Sequence, residues 1–277
     1  MKTIFQTFLK SLLVGATFVI AIVVGGMVVT MLGLPRPEAE NPAAKLMWFL
    51  VGGVIAGLSL GSVAPSIPAS RMRHLVVWGS LIFFNMASVI VEGYFFAPAL
   101  IGDALPALLF QQLLAALAAG WVITMLFAPR ESAAPVSPAR RSIPAWVWRF
   151  AAAALAYVIF YFVFGSINYM LVTKPYYATH AGGLAVPPVQ VTLMAEVVRG
   201  VLIALSVLPL LLTAPADKKR LGAWTGFLLF AIGGLVPLTM QVGALPTFLL
   251  IASAWEIFAQ NFTMGWVLTR LLGRPAK

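Results

Sequence analysis

LMWFLVGGVIAGLSLGSVAPSIPASRMRHLVVWGS, residues Leu46–Ser80, is the stretch whose reading decides the fold. Its first 22 residues, 46–67, carry no charge. As a helix rising about 1.5 Å per residue they span roughly 33 Å, enough to cross a hydrocarbon layer of about 30 Å. Pro68 then interrupts the helix, Arg71, Arg73 and His74 supply a polar turn, and a second apolar run begins at Leu75. The stretch reads as a membrane hairpin with a basic turn.

The remainder of the chain extends this pattern. Of 277 residues, 61 % are hydrophobic and 9 % charged, whereas about a quarter are charged in soluble domains, so the composition excludes a soluble globular domain. Apolar runs near 12–34, 46–67, 75–97, 104–128, 146–173, 189–213, 221–243 and 246–270 predict eight transmembrane helices. The expected fold class is therefore all-α, a polytopic integral membrane protein. The N-terminal run is too long for a signal peptide and lacks a small-residue cleavage site, so it reads as an uncleaved first span.

The opening stretch also has a partner. LMAEVVRGVLIALSVLPLLLTAPADKKRLGAWTGF, Leu193–Phe227, aligns with it at an offset of 147 and pairs Gly53, Ser59, Pro68, Arg73 and Gly79 with Gly200, Ser206, Pro215, Arg220 and Gly226. Later, GWVITMLFAPR from Gly120 meets GWVLTRLLGRP from Gly265 at an offset of 145; earlier, Gly25 and Pro35 meet Gly165 and Pro175 at 140. The spacing predicts two four-helix repeats, 1–128 and 145–277, joined by a Pro-, Ser- and Ala-rich linker over 129–144. An even number of spans per unit makes the repeats parallel. Gly53, Gly57 and Gly61 form a small-residue row of the kind that lets helices approach closely, and Pro209 and Pro237 are expected to kink their helices.

Charge gives the orientation. Fourteen of the 18 basic residues fall at one set of loop ends: Lys2, Lys10, Arg71, Arg73, Arg130, Arg140, Arg141, Arg149, Lys218, Lys219, Arg220, Arg270, Arg274 and Lys277. Arg36, Lys45 and Lys174 fall on the other. This is the positive-inside pattern, so both termini are expected in the cytoplasm, with Trp146 and Trp148 as interfacial anchors. The isoelectric point near 10.3 then reflects contact with an anionic bilayer surface rather than nucleic acid. The expected setting is the inner membrane of a bacterium.

Polar residues inside the spans are costly and point to function. Arg199 stands against Glu92, Glu196 and Glu256, a formal balance of −2 within the membrane. Glu196 and Arg199, three residues apart, share a helix face about 10 and 15 Å below the external surface and can neutralise one another. Glu256 has no basic residue within reach on its own helix. Ser253, Glu256, Gln260 and Thr263 follow at helical spacing, so they form one polar face. Asn85 and Glu92 in the third span and Gln111 or Gln112 in the fourth are candidates to meet it, and Asn168, Gln241, Glu196 and Arg199 lie toward the outside as well.

Three readings of Glu256 follow: a proton or cation carrier, since an unpaired buried carboxyl favours its neutral form; a member of a structural network; or a bridge to Arg199. Glu92, Gln111, Glu196, Arg199, Ser253, Glu256 and Gln260 are the expected path residues of a secondary transporter or permease, with a polar cavity open toward the periplasm. Proton or cation coupling and a small-molecule or cationic substrate would fit it. The alternative is a non-catalytic membrane subunit or assembly partner, with a protein partner or a second copy of the chain; an intramembrane enzyme acting on lipid ranks below both.

Other chemistries lack their residues. There is no cysteine, and the two histidines, His74 and His180, lie outside the span interiors. No catalytic residue, metal site or cofactor is therefore expected. AEVVRG, 195–200, is similar to the EExxxRG motif of CAAX-processing intramembrane proteases, but it lacks one glutamate, is one residue short and has no membrane histidines beside it, so that resemblance is rejected.

Overall fold

The computed structural model describes residues 2–35, 42–129, 141–215 and 217–274. Arg36, Arg130, Arg140 and Lys277 of the charge pattern, and most of the 129–144 linker, lie outside them. Helix accounts for 88 % of the structure, with no strand among the described residues.

The long helices are α1 (Lys2–Met31), α2 (Pro42–Val63), α3 (Arg71–Phe96), α5 (Leu105–Phe127), α6 (Ile143–Asn168), α8 (Val189–Thr213), α9 (Lys218–Phe230) and α11 (Thr247–Leu272). Short α4 (Pro98–Ile101), α7 (Lys174–Ala178) and α10 (Val236–Met240) sit between them. Seven helical segments are long and apolar enough to cross a membrane, the last being Lys218–Met240. The chain is thus a multi-pass membrane protein by length and composition. The eighth expected span, α11, has 26 residues but falls outside the apolar set, because Glu256, Gln260 and Asn261 crowd its middle turns.

Several boundaries differ from expectation for local reasons. Helix α6 does not end near 173 but passes through a widened turn, Tyr169–Thr173, into α7, so part of the external loop is helical. A second widened turn, Ala231–Leu235, lies immediately before Pro237. Proline withholds one N–H, and a widened turn accommodates the freed carbonyl, so the expected irregularity is a local bulge. Pro209, by contrast, sits inside an uninterrupted α8.

Small residues set the packing. A Cβ on Gly57 would land on the Ser11 carbonyl of α1, and one on Gly61 would strike the Ser11 side chain; the glycine row is thus the α1–α2 contact. Gly120 of α5 approaches Gly79 of α3, where a Cβ would meet the Gly79 amide nitrogen at 3.1 Å. Gly265 of α11 lies against Gly226 of α9 in the same way, more tightly. Aligned glycines therefore occupy matching contacts.

The helix partners match too. Helix α1 packs on α2 and α5, and α3 on α5; correspondingly, α6 packs on α8 and α11, and α9 on α11. The two groups meet where α3 lies along α8 and where α2 lies against the 231–240 segment. One apolar core, including Trp78, Leu81, Val207, Leu211, Leu228 and Leu268, runs through both groups.

The basic ends are capped in parallel fashion. Lys10 Nζ donates to Leu126 O at 3.0 Å, and Arg149 Nη1 donates to Leu271 O at 2.6 Å, so each fourth long helix has its terminal carbonyls met by a cation from the first helix of its group. His74 is fully buried. Its Nδ1 accepts from Trp78 Nε1 at 3.1 Å and its Nε2 faces Ile67 O at 2.7 Å, which places the ring proton on Nε2 and gives this histidine a structural role.

Candidate functional site

The site is built on α8. Glu196 is 0 % and Arg199 6 % exposed, and their spacing lets the guanidinium reach back one turn. Arg199 Nη1 donates to both Glu196 carboxylate oxygens, at 3.0 and 2.7 Å. Its Nη2 pairs with Glu92 Oε2 of α3 at 2.7 Å. The rings of Tyr157 and Tyr161 on α6 lie 5.4 and 5.9 Å from the guanidinium carbon, within the range of cation–π attraction. One buried cation thus joins α3, α6 and α8, crossing from the first helix group to the second. The expected i,i+3 pair is present, with a second carboxylate added from another helix.

Glu92 lies one turn from the end of α3, and its side chain is 31 % exposed. It is the part of the triad that remains open. Glu256 on α11 is half-buried, and its Oε2 accepts from Asn168 Nδ2 of α6 at 2.6 Å. Gly165 makes room for the other oxygen, since a Cβ there would sit 3.1 Å from Oε1. Arg199 and Glu92 lie within electrostatic range of Glu256, but Arg199 makes its ion pairs with Glu92 and Glu196. The direct Arg199–Glu256 bridge weighed from the sequence does not form.

The remaining expected residues separate. Gln260, one turn along α11 from Glu256, is 3 % exposed, and its Nε2 has no partner among the described residues. Ser253 is half-buried on the same helix. Thr263 donates to its own helix at Ala259 O. Asn85 and Asn261 both direct side-chain amides at Leu229 O, at 3.5 and 3.2 Å. Gln111 faces α1 instead, donating to Ile22 O.

An aromatic layer of Tyr169, Tyr176 and Tyr177 follows α6. Tyr169 and Tyr177 rings are 5.9 Å apart, and Tyr176 and Tyr177 pack on Ala97, Leu184 and Leu249. Ala185 N donates to Phe96 O at 2.8 Å, tying the 174–188 segment to the end of α3. Tyr157 and Tyr161 were not among the expected site residues, although their i,i+4 spacing in an otherwise apolar span was the signal available. Among the described residues no group of three or more His, Cys, Asp or Glu could hold a metal ion.

Positions aligned with the site carry different chemistry. Gly52 aligns with Arg199 and lies against Thr239 of α10, where a Cβ would come 2.6 Å from Oγ1. Gln111 aligns with Glu256, and Gly25 beside it aligns with Gly165. The contact of Gly52 with Thr239 is thus a small-residue approach, whereas Arg199 makes ion pairs.

No family model, curated protein or solved structure matches the chain.

Proposed function

We propose that the chain is a secondary-transporter-like or permease-like protein of the bacterial inner membrane, with eight spans in two parallel four-helix repeats and both termini in the cytoplasm. Residues 1–128 and 145–277 are the repeats, and 129–144 is the cytoplasmic linker. Recurrence of the helix contacts, of the Gly79–Gly120 and Gly226–Gly265 approaches and of the basic caps supports the repeat. Helix α11 is then the eighth span, its polar face turned inward because lipid cannot solvate it.

The observation that carries the functional reading is the Glu92–Arg199 link between the two groups, set beside a carboxylate, Glu256, held by a single amide. An ion pair across two halves that rock can serve as an outer gate. Glu256 then carries the proton or cation, Gln260 and Ser253 line the path, and the aromatic layer lies toward the periplasm. With three carboxylates and one guanidinium, the site favours a cation or cationic solute. The structural alternative, a non-catalytic subunit whose polar residues join helices, draws support from how completely Arg199 is surrounded.

Reconstitution separates them. Proteoliposomes holding a trapped pH-reporting dye receive small organic amines outside. Wild-type protein should give a proton flux coupled to at least one amine, and Glu256→Gln should abolish it while melting within a few degrees of wild type. Loss of folding in Glu256→Gln, or no flux in wild type, would favour the subunit reading.

A further inference from the structure

The opposite end of the bundle holds a cluster of cations that the transport reading does not use. Arg141 and Arg149 reach the last carbonyls of α11, Arg141 Nη1 donating to Leu272 O at 2.9 Å and Arg149 Nη1 to Leu271 O at 2.6 Å. Arg141 also donates to Gly273 O. The next residue, Arg274, donates to Leu212 O of α8 and has Arg73 as its charged neighbour. Three guanidinium groups thus gather about residues 271–274, with Arg73 within electrostatic range of Arg274.

Their charge is not balanced. None of the four is in an ion pair among the described residues. The terminal carbonyls of a helix carry only about half a negative charge. Partial burial first, and then the neighbouring Arg149, make Arg141 a poorer holder of its proton than a free arginine; Arg274 is affected likewise by burial and Arg73. The Nε atoms of Arg149 and Arg274 are buried without partners among the described residues. These two atoms have no exposed surface, so an outside acceptor would meet the terminal guanidinium nitrogens instead.

The surroundings indicate where that acceptor comes from. Trp146 and Trp148 stand 5.0 Å from the Arg141 and Arg149 guanidinium carbons, and tryptophans of this kind sit at headgroup level. Forked guanidinium donors suit phosphate oxygens. We propose that this cluster is a binding site for a phosphate group carried by an anionic phospholipid headgroup, which links the ends of α3, α8 and α11 to the bilayer surface.

The test uses the full chain, purified in detergent and depleted of lipid, with melting followed by tryptophan fluorescence. Added phosphatidylglycerol should raise the melting temperature saturably, and phosphatidylcholine should not. Arg73→Gln breaks none of the helix-capping bonds described above, so it should fold; it should raise the half-saturating phosphatidylglycerol concentration about fivefold. Lys45→Gln, at the other face, should leave it unchanged. Equal responses to the two lipids, or an unaltered response in Arg73→Gln, would overturn the proposal. An equal shift from inorganic phosphate would reassign the site to a free anion and overturn the lipid assignment. A response appearing only in Glu131→Gln would show that this carboxylate already neutralises the cluster, and would overturn it too.

Discussion

Replacing Arg199 by methionine keeps most of the side-chain volume and removes the one cation of the site. Glu196, 0 % exposed, then loses the donor that meets both of its oxygens, while Glu92 stays partly open to solvent. Leaving one member of a buried ion pair unpaired costs about 3–5 kcal/mol. At about 2–3 °C per kcal/mol for a chain of this size, Arg199→Met should melt about 6–15 °C below wild type. Glu196→Met should cost less, because Arg199 keeps Glu92. The double variant Glu196→Met/Arg199→Met removes both deeply buried charges and should recover much of the loss, since apolar replacement of a buried pair is often close to neutral. The readout is a thermal ramp on detergent-purified protein. Arg199→Met melting within about 2 °C of wild type would refute the reasoning. A double variant losing the sum of the two singles would do so as well, because the pair would then show no coupling.

Other perturbations test separate parts of the structure. Gly265→Ala drives a Cβ into the Gly226 backbone and should cost about 1–3 kcal/mol by overpacking, whereas Gly79→Ala, whose Cβ would have its nearest neighbour at 4.0 Å, should melt close to wild type; equal melts would contradict the contact assignment. Asp217 caps α9, and its Oδ1 accepts the N–H groups of Lys219 and Arg220 at 2.8 and 3.0 Å. These bonds, that from Arg220 foremost, hold its carboxyl below the usual carboxylate range. Its contribution is therefore present above the unfolded pKa of about 3.9 and is lost as pH falls through the lower folded value. Asp217→Asn should flatten the acid side of the melting-temperature profile, and an unchanged profile would count against the cap. Asn168→Ala removes the amide that holds Glu256 and should shift the pH dependence of any flux while costing about 1–3 kcal/mol; a flux profile identical to wild type would remove Asn168 from the site.

The membrane class was legible because it rests on repeated, local signals. Long uncharged runs correspond to the long apolar helices, and glycines at four-residue spacing to the contact of α2 with α1. The Glu196–Arg199 pair was legible for the same reason, since a spacing of three fixes a shared helix face. What joined it was not. Glu92 lies 107 positions before Arg199 in the sequence, and which polar residue of α3 meets α8 depends on helix rotation and tilt, which apolar spans do not encode locally. Gln111 illustrates the converse: it shares Glu256's position in the alignment, yet its helix turns it onto the α1 backbone. The polar face of α11 was readable from sequence, and that same polarity is why this helix falls outside the apolar set.

The chain contains no cysteine, so any introduced thiol is unique, and this makes water access to the site directly measurable. Ser253→Cys places a thiol on the face that carries Glu256; Trp255→Cys places one two residues away at a position 68 % exposed, toward lipid in the proposed topology. In sealed, right-side-out vesicles treated with a membrane-impermeant maleimide, a polar cavity open to the periplasm predicts labelling of Ser253→Cys and little labelling of Trp255→Cys. Failure to label Ser253→Cys, or equal labelling of both, would contradict the cavity and leave the polar residues as joints between helices.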